Sequence, residues 1–167
     1  DQLGEATSIF DITGTMDATD STLAIPAMGT WRLAGGKITG GTVSTPGTVL
    51  HAKSKSSSRF ENVTFTGSLS GADASLNLIG GVNAGNIEWT DGYLSLDGNW
   101  SNSGSLRTIG SDVMVKAVSG SFGDFVVDGG TLFMNSSTNP VTTAQLRSVE
   151  RSGGAVLVLG GMIDNSN

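Results

Sequence analysis

Carboxylates are the side chains with which a chain of this kind would attack a sugar polymer. Glycoside cleavage needs two of them, one as acid and one as base or nucleophile. Asp91, Asp97, Asp112, Asp124 and Asp128 recur through the second half of the sequence. Asp91 and Asp128 each precede a glycine, and Asp-Gly is ordinary turn chemistry, because the carboxylate bonds its own backbone and tolerates left-handed geometry. No clustered acids with an accompanying Arg, Lys or His stand out. The five are expected at corners, and no catalytic residue is expected among them.

The single histidine, His51, would have to serve both a metal site and a Ser-His-Asp constellation. It opens the polar, basic stretch 51–59, which is expected to be a mobile loop offering a base no rigid geometry. Within it Lys53, Lys55 and Arg59 form the one basic patch, a candidate contact for an anionic glycan. The absence of cysteine excludes disulfides, thiolate-held zinc and thiol catalysis. Gly-Gly pairs occur, but not the tandem Gly-Gly-x-Gly-x-Asp of calcium-binding nonapeptides. No metal site and no cofactor is expected, with structural calcium at a corner Asp or Asn left open. Trp31 and Trp100 are expected to fill the core rather than stack on sugars, and Trp89 to share the orientation of Ile87. Thr64-Phe65-Thr66 is one copy of the Thr-x-Thr pair that an ice-binding face would repeat at every coil. The places taken as equivalent in later coils read Glu88, Ser95 and Ser105.

What must position these residues is a Gly-punctuated apolar pair that returns at a nearly constant interval. Leu76, Leu94, Val113 and Leu132 are 18, 19 and 19 positions apart. Such a period, with strand-like alternation, is the mark of a solenoid whose repeats bury their apolar faces against one another. Three columns share it. The first runs Leu23, Val43, Val63, Val82, Trp100, Val118. The second runs Trp31, Val49, Leu69, Ile87, Leu106, Phe125, Leu146. The third runs Ile38, Phe60, Leu76, Leu94, Val113, Leu132, Val156. Three columns predict an all-β fold, a single-stranded parallel β-helix of about seven coils in one domain over 1–167. Unequal steps within a coil favour the right-handed form over the hexapeptide left-handed one. A β-sandwich explains short strands but not three columns in register. Polar loops are expected at 51–59 and at 135–143, where Pro140 cannot donate to a ladder.

Composition narrows the function classes. The chain has 25 Gly among 167 residues and a net charge of −6, so non-specific attraction to nucleic acid or anionic lipid is not expected. Apolar residues make up 37%, set in alternating pairs, which argues against disorder. No run is long and apolar enough to be expected to span a membrane. The chain opens at Asp1-Gln2-Leu3 without a basic and then apolar run, as a mature secreted chain or an excised fragment would.

The stretch from Thr142 to Asn165, with Gly153-Gly154-Ala155-Val156-Leu157-Val158-Leu159-Gly160-Gly161 at its centre, and Gly129-Gly130-Thr131-Leu132 before it, resembles repeat units of large bacterial surface or secreted proteins. These are of the autotransporter-passenger and filamentous-haemagglutinin-like kind. The resemblance implies a long right-handed β-helix projecting from the cell, generally without catalytic residues, and carries over no binding residue. It covers about residues 70–167.

The expected function is therefore a non-catalytic structural or adhesive β-helix segment of a bacterial cell-surface or extracellular protein. Its partners would be host or matrix glycans or proteins. Two alternatives are a carbohydrate-active β-helix (lyase, hydrolase or tailspike-like) and a self-assembling filament subunit. Strand-like Ile9-Phe10-Asp11-Ile12 at one end, and Asp164-Asn165-Ser166-Asn167 after an apolar strand with no capping helix at the other, predict end-to-end association or a longer parent chain.

Overall fold

Alternation of apolar and small polar residues with period two sets the strands, and glycine sets the corners between them. The computed structural model describes residues 8–116 and 118–165; Asp1-Gln2-Leu3 and Ser166-Asn167 lie outside the described residues. Within them the chain winds into a parallel β-solenoid. Each turn contributes one strand to an eight-stranded sheet that runs from Thr15–Asp17 to Val156–Asp164. Eight such strands make about eight turns, one more than the sequence period predicts, because Thr15–Asp17 adds a rung before Ile38, with Met16 in register beneath it.

Two other walls close each coil. One stacks Ile9–Ile12, Thr30–Leu33, the end of Thr42–Ala52, Thr64–Ala72, Asn86–Thr90, Ser105–Ile109, Asp124–Asp128 and Val149–Ser152. We call this the first face, and the eight-stranded sheet the second face. A shorter third face stacks Thr22–Ala24 on the starts of Thr42–Ala52 and Thr64–Ala72, then Val82–Asn83 and Ser101–Asn102. Every strand pair among the described residues is parallel, as the period requires.

Register tests the columns directly. Leu76, Leu94, Val113 and Leu132 pair in line, and all four are buried. Leu69, Ile87, Leu106 and Phe125 do the same on the first face. Elsewhere the columns need correction. Leu50, not Val49, pairs with Trp31 and Leu69, and Val149, not Leu146, with Phe125. Leu157, not Val156, continues from Leu132, while Phe60 stands beside Leu78 rather than Leu76. At Val49/Leu50 and Val156/Leu157 two apolar residues are neighbours and pairing selects the more buried one, whereas Leu76 and Leu78 both face inward and Phe60 is in register with the second. On the third face Val43 pairs with Phe65, then Asn83 and Asn102, so Val63, Val82, Trp100 and Val118 are not its inward column. Val63, Trp100 and Val118 are still buried.

Two buried asparagines replace aliphatic residues in that column. The Asn83 amide donates to Asn102 Oδ1 at 2.7 Å and to the Ser105 carbonyl at 3.1 Å. Asn102 in turn donates to the carbonyls of Phe122 and Asp124 at 2.8 and 3.0 Å. The ladder gives these carbonyls side-chain donors, and a buried carbonyl left without one costs about 1–3 kcal/mol. Trp89 is fully buried and donates to the Ala74 carbonyl at 3.1 Å. Its in-register neighbour must be glycine, since a Cβ on Gly71 would stand 2.5 Å from the indole ring.

Both expected loops are largely structured. His51 and Ala52 end one strand, Ser57–Glu61 is another, and Ser58 is buried. Only 53–56 turns the corner, and it is pinned: the Lys53 amide donates to Leu33 O and the Lys55 amide to Asp73 O. Likewise 135–142 belongs to the strand Thr131–Thr142, with an irregularity between Ser136 and Val141 that accommodates Pro140. A short helix, Thr143–Ser148, follows, started by a capping box between Thr142 and Gln145. Gln145 Nε2 donates to the carbonyls of Val118 and Gly120, closing the third face where its strands stop. This helix precedes the last two strands and does not cap the final one. The last strand, Val156–Asp164, exposes Val156, Val158, Leu159, Met162 and Ile163.

Candidate functional site

Because strands stack in register, outward side chains form columns as strict as the core ones. Along the first face one such column reads Asp11, Arg32, His51, Ser70, Glu88, Arg107, Val126, Glu150. Beside it stand Val49, Ser68, Asn86 and Ser105. The column brings together an imidazole, a hydroxyl, a carboxylate and a guanidinium that lie far apart in sequence.

On the first face the strand Thr64–Ala72 presents only Ser68, Ser70 and Ala72 outward, whereas the strands on either side present Val49 and His51, and Asn86, Glu88 and Thr90. A rung of small side chains between two taller ones leaves a groove. It holds two clefts of about 360 Å³ each that meet at His51, Ser70 and Glu88. His51 Nδ1 lies 2.9 Å from Ser70 Oγ. The neighbouring charges are already engaged. Arg32 Nε and Nη2 donate to Asp11 at 2.7 and 2.9 Å, and Lys53 Nζ lies 3.5 Å from the same carboxylate. Arg107 donates to Asp128 at 3.2 Å. Glu88, between them, has no hydrogen-bond or ion-pair partner among the described residues.

The Arg32 and Lys53 charges hold the Asp11 carboxyl below its ordinary value, with the Arg32 hydrogen bond as the largest cause. Glu61, on the second face, is held down by hydrogen bonds from Lys37 and then Arg59. Chemically, the His51–Ser70 pair differs from an acyl-transfer triad. The residue on the far side of His51 is Arg32, not a carboxylate, and a cation there opposes the imidazolium that a general base becomes.

The sequence-derived candidates fall out as follows. Asp91 has φ +48° at a corner, and Asp97 Oδ1 accepts from the Gly98 amide at 2.7 Å, both as turn chemistry requires. Asp112 stands beside Tyr93 on the second face, the Asp124 carbonyl receives Asn102, and Asp128 binds Arg107 and Ser152. His51 sits in a strand, not in a mobile loop, which corrects the reason for setting it aside. Lys53 leans toward Asp11, Lys55 turns the corner at φ +59°, and Arg59 pairs with Glu61 on the second face. Among the described residues no group of three His, Cys, Asp or Glu side chains is gathered as a metal site would need.

Trp100 is buried as expected, while Trp31 is only half-buried and stacks on Phe10 with ring centres 4.7 Å apart. Thr64 continues an outward column from Thr22 and Thr42, but the column goes on through Val82 and Ser101, not through Glu88, Ser95 and Ser105. A further hollow of about 570 Å³ between Thr19 and Thr64 lies over these turns and has Asp20 as its one charged group. Glu88 and Arg107, which sequence reading passed over as site residues, could have been found by applying the core period to polar residues. His51, Ser70, Glu88 and Arg107 are 19, 18 and 19 apart.

These features define a parallel β-solenoid with a groove of mixed polar and apolar lining on one outer face. Among known proteins no family model matches the chain, and neither a curated protein nor a solved structure does.

Proposed function

We propose that this chain is a structural and adhesive β-solenoid segment of a bacterial cell-surface or extracellular protein, non-catalytic, serving as a stalk whose outer faces bind glycans or proteins. The observation that carries the reading is the unbroken inner ladder. Eight rungs at about 4.8 Å each give a stiff column about 38 Å long, with the charged side chains on its outside. Stacked rungs resist bending because each inward side chain is packed above and below. The resemblance of residues 70–167 to surface-protein repeats points the same way.

The test is surface binding set against turnover. Immobilised matrix proteins and polysaccharides should retain the chain, with no release of reducing or unsaturated ends from any polysaccharide offered. Product release that disappears in Glu88→Gln would replace this reading with the carbohydrate-active one, which the gathering of His51, Glu88 and Arg107 on one face favours. A filament-forming variant draws support from apolar side chains at both end rungs, Ile9 and Phe10 at one, Val158 and Met162 at the other. Sedimentation that rises with protein concentration would favour it, and a constant value would remove it.

A further inference from the structure

We infer that the groove along the strand Thr64–Ala72 binds a single chain of a neutral polysaccharide, with Glu88 on one wall and His51 on the other taking its hydroxyl groups. The inference names the ligand class for the adhesive reading above and rests on it.

Shape comes first. The groove floor is Ser68, Ser70 and Ala72, and the strand from 68 to 72 is about 16 Å long. The walls belong to the strands immediately before and after it, so their backbones are two sheet spacings, about 9.6 Å, apart. That admits one narrow polymer chain lying along the strand direction, over a floor whose short side chains leave room for it.

Chemistry then selects among narrow polymers. A peptide in extended form gains most of its affinity by adding to an open sheet edge. Here the backbone groups under the groove are already paired with the rungs on both sides, so the floor offers side chains only. A polyanion would meet Glu88 unneutralised at the centre, because the nearest guanidinium, Arg107, is engaged by Asp128. Neutral sugars fit both facts. A free carboxylate accepts from two neighbouring hydroxyls of one ring, a charge-assisted arrangement stronger than bonds between neutral groups. Across the groove the His51–Ser70 pair supplies a donor and an acceptor whichever tautomer is present. Asn86 and Ser68 extend the same mixed character along the groove.

The experiment titrates the isotope-labelled chain with cellohexaose, xylohexaose, mannohexaose and chitohexaose, and with hexagalacturonate as the anionic counterpart, following backbone amides by NMR. At least one neutral hexasaccharide at millimolar concentration should move the amides of 49–51, 68–72 and 86–90. Glu88→Gln should weaken that binding about tenfold or more. Ser70→Leu, which fills the groove, should abolish it, and Asn77→Ala on the second face should leave it unchanged. Circular dichroism of each variant confirms that the solenoid persists. No shift with any neutral hexasaccharide, shifts confined to another face, or preference for hexagalacturonate would overturn the assignment.

The two readings fail separately. Retention on matrix surfaces without any groove response removes the groove and leaves adhesion standing. A hexasaccharide that binds the groove and is then cleaved leaves the groove standing and removes the non-catalytic reading.

Discussion

From Leu69 to Leu132 the inner wall steps by 18 or 19 residues from rung to rung, whereas from Ile9 to Phe60 the steps are mostly 20 to 22. Both regions bury inward side chains, Leu33, Ile38, Val43 and Leu50 as completely as Leu94, but the first coils add ion pairs on the outside and leave their outermost rung exposed. In the middle, Leu76, Leu94 and Val113 are fully buried, one above another. In the first coils Ile9 is 57% exposed and Phe10 40%, and four of the five ion pairs among the described residues are found there: Asp11–Arg32, Asp11–Lys53, Lys37–Glu61 and Arg59–Glu61. Where coils are equal in length, inward side chains superpose and burial suffices. Where a coil carries extra residues, the surplus bulges at corners, and charges on the outside tie neighbouring rungs together. Exposed ion pairs contribute about 0–1 kcal/mol each, against about 1.5–3 kcal/mol for burying one aliphatic side chain. The first coils should therefore open before the middle ones.

The largest effect expected is at Leu94, between Leu76 and Val113. Leu94→Ala should cost about 2–5 kcal/mol, because the rungs above and below cannot collapse into the space. Leu23→Ala, at a half-buried site in the first coil, should cost about 1 kcal/mol. Since stacked repeats need not unfold as one unit, denaturant curves should be read together with amide exchange. Equal costs at the two sites would erase the distinction between the regions.

A middle-sized effect sharpens the comparison, because the middle coils carry one polar interruption. Asn102→Ala removes two donors from the Phe122 and Asp124 carbonyls and one acceptor from Asn83. The expected loss is about 1–3 kcal/mol, with faster amide exchange from 118 to 124. Unchanged exchange there would mean that those carbonyls find other partners and that the ladder does not hold this corner.

The same contrast explains what could be read from the sequence. Leu76, Leu94, Val113 and Leu132 were legible because each is set in a strand with an unambiguous alternation and an unvarying coil length. Val49 and Leu50 are adjacent, as are Val156 and Leu157, and a pattern of apolar residues cannot choose between neighbours; only pairing with the next rung does. Asn83 and Asn102 were hidden because a polar residue counts against a core column, although both begin an Asn-x-Gly at a spacing of 19. The stretch 51–59 reads as a loop by composition, yet small hydroxyl side chains pack well enough under a leucine: Ser58 is in register with Leu76 and 1% exposed. His51, Glu88 and Arg107 keep the core period while lying outside the core, which apolar columns alone do not reveal.

The smallest effect is the one with acid, and it is confined to the first coils. Hydrogen bonds from Arg32, and the charges of Arg32 and Lys53, hold the Asp11 carboxyl below its ordinary value of 3.8. Lys37 and Arg59 hold Glu61 below 4.5, and Thr19 holds Asp17 below 3.8. A carboxyl depressed in the folded chain is ionised there while its unfolded counterpart still binds a proton. Its contribution is therefore complete above the unfolded value and disappears as pH falls through the folded one. Acidification from about pH 5 to below 4 should speed amide exchange, corrected for its intrinsic pH dependence, at 9–12, 30–33, 37–39 and 57–61. Exchange from 86 to 115 should stay constant. Added salt should act at the same places and in the same direction, because these groups are exposed and screened. Asp11→Asn with Glu61→Gln should leave the first coils loosened at every pH and remove most of their acid dependence. If acid loosened the middle coils equally, the ion pairs would not be what distinguishes the two regions, and the difference would have to lie in the backbone of the corners themselves.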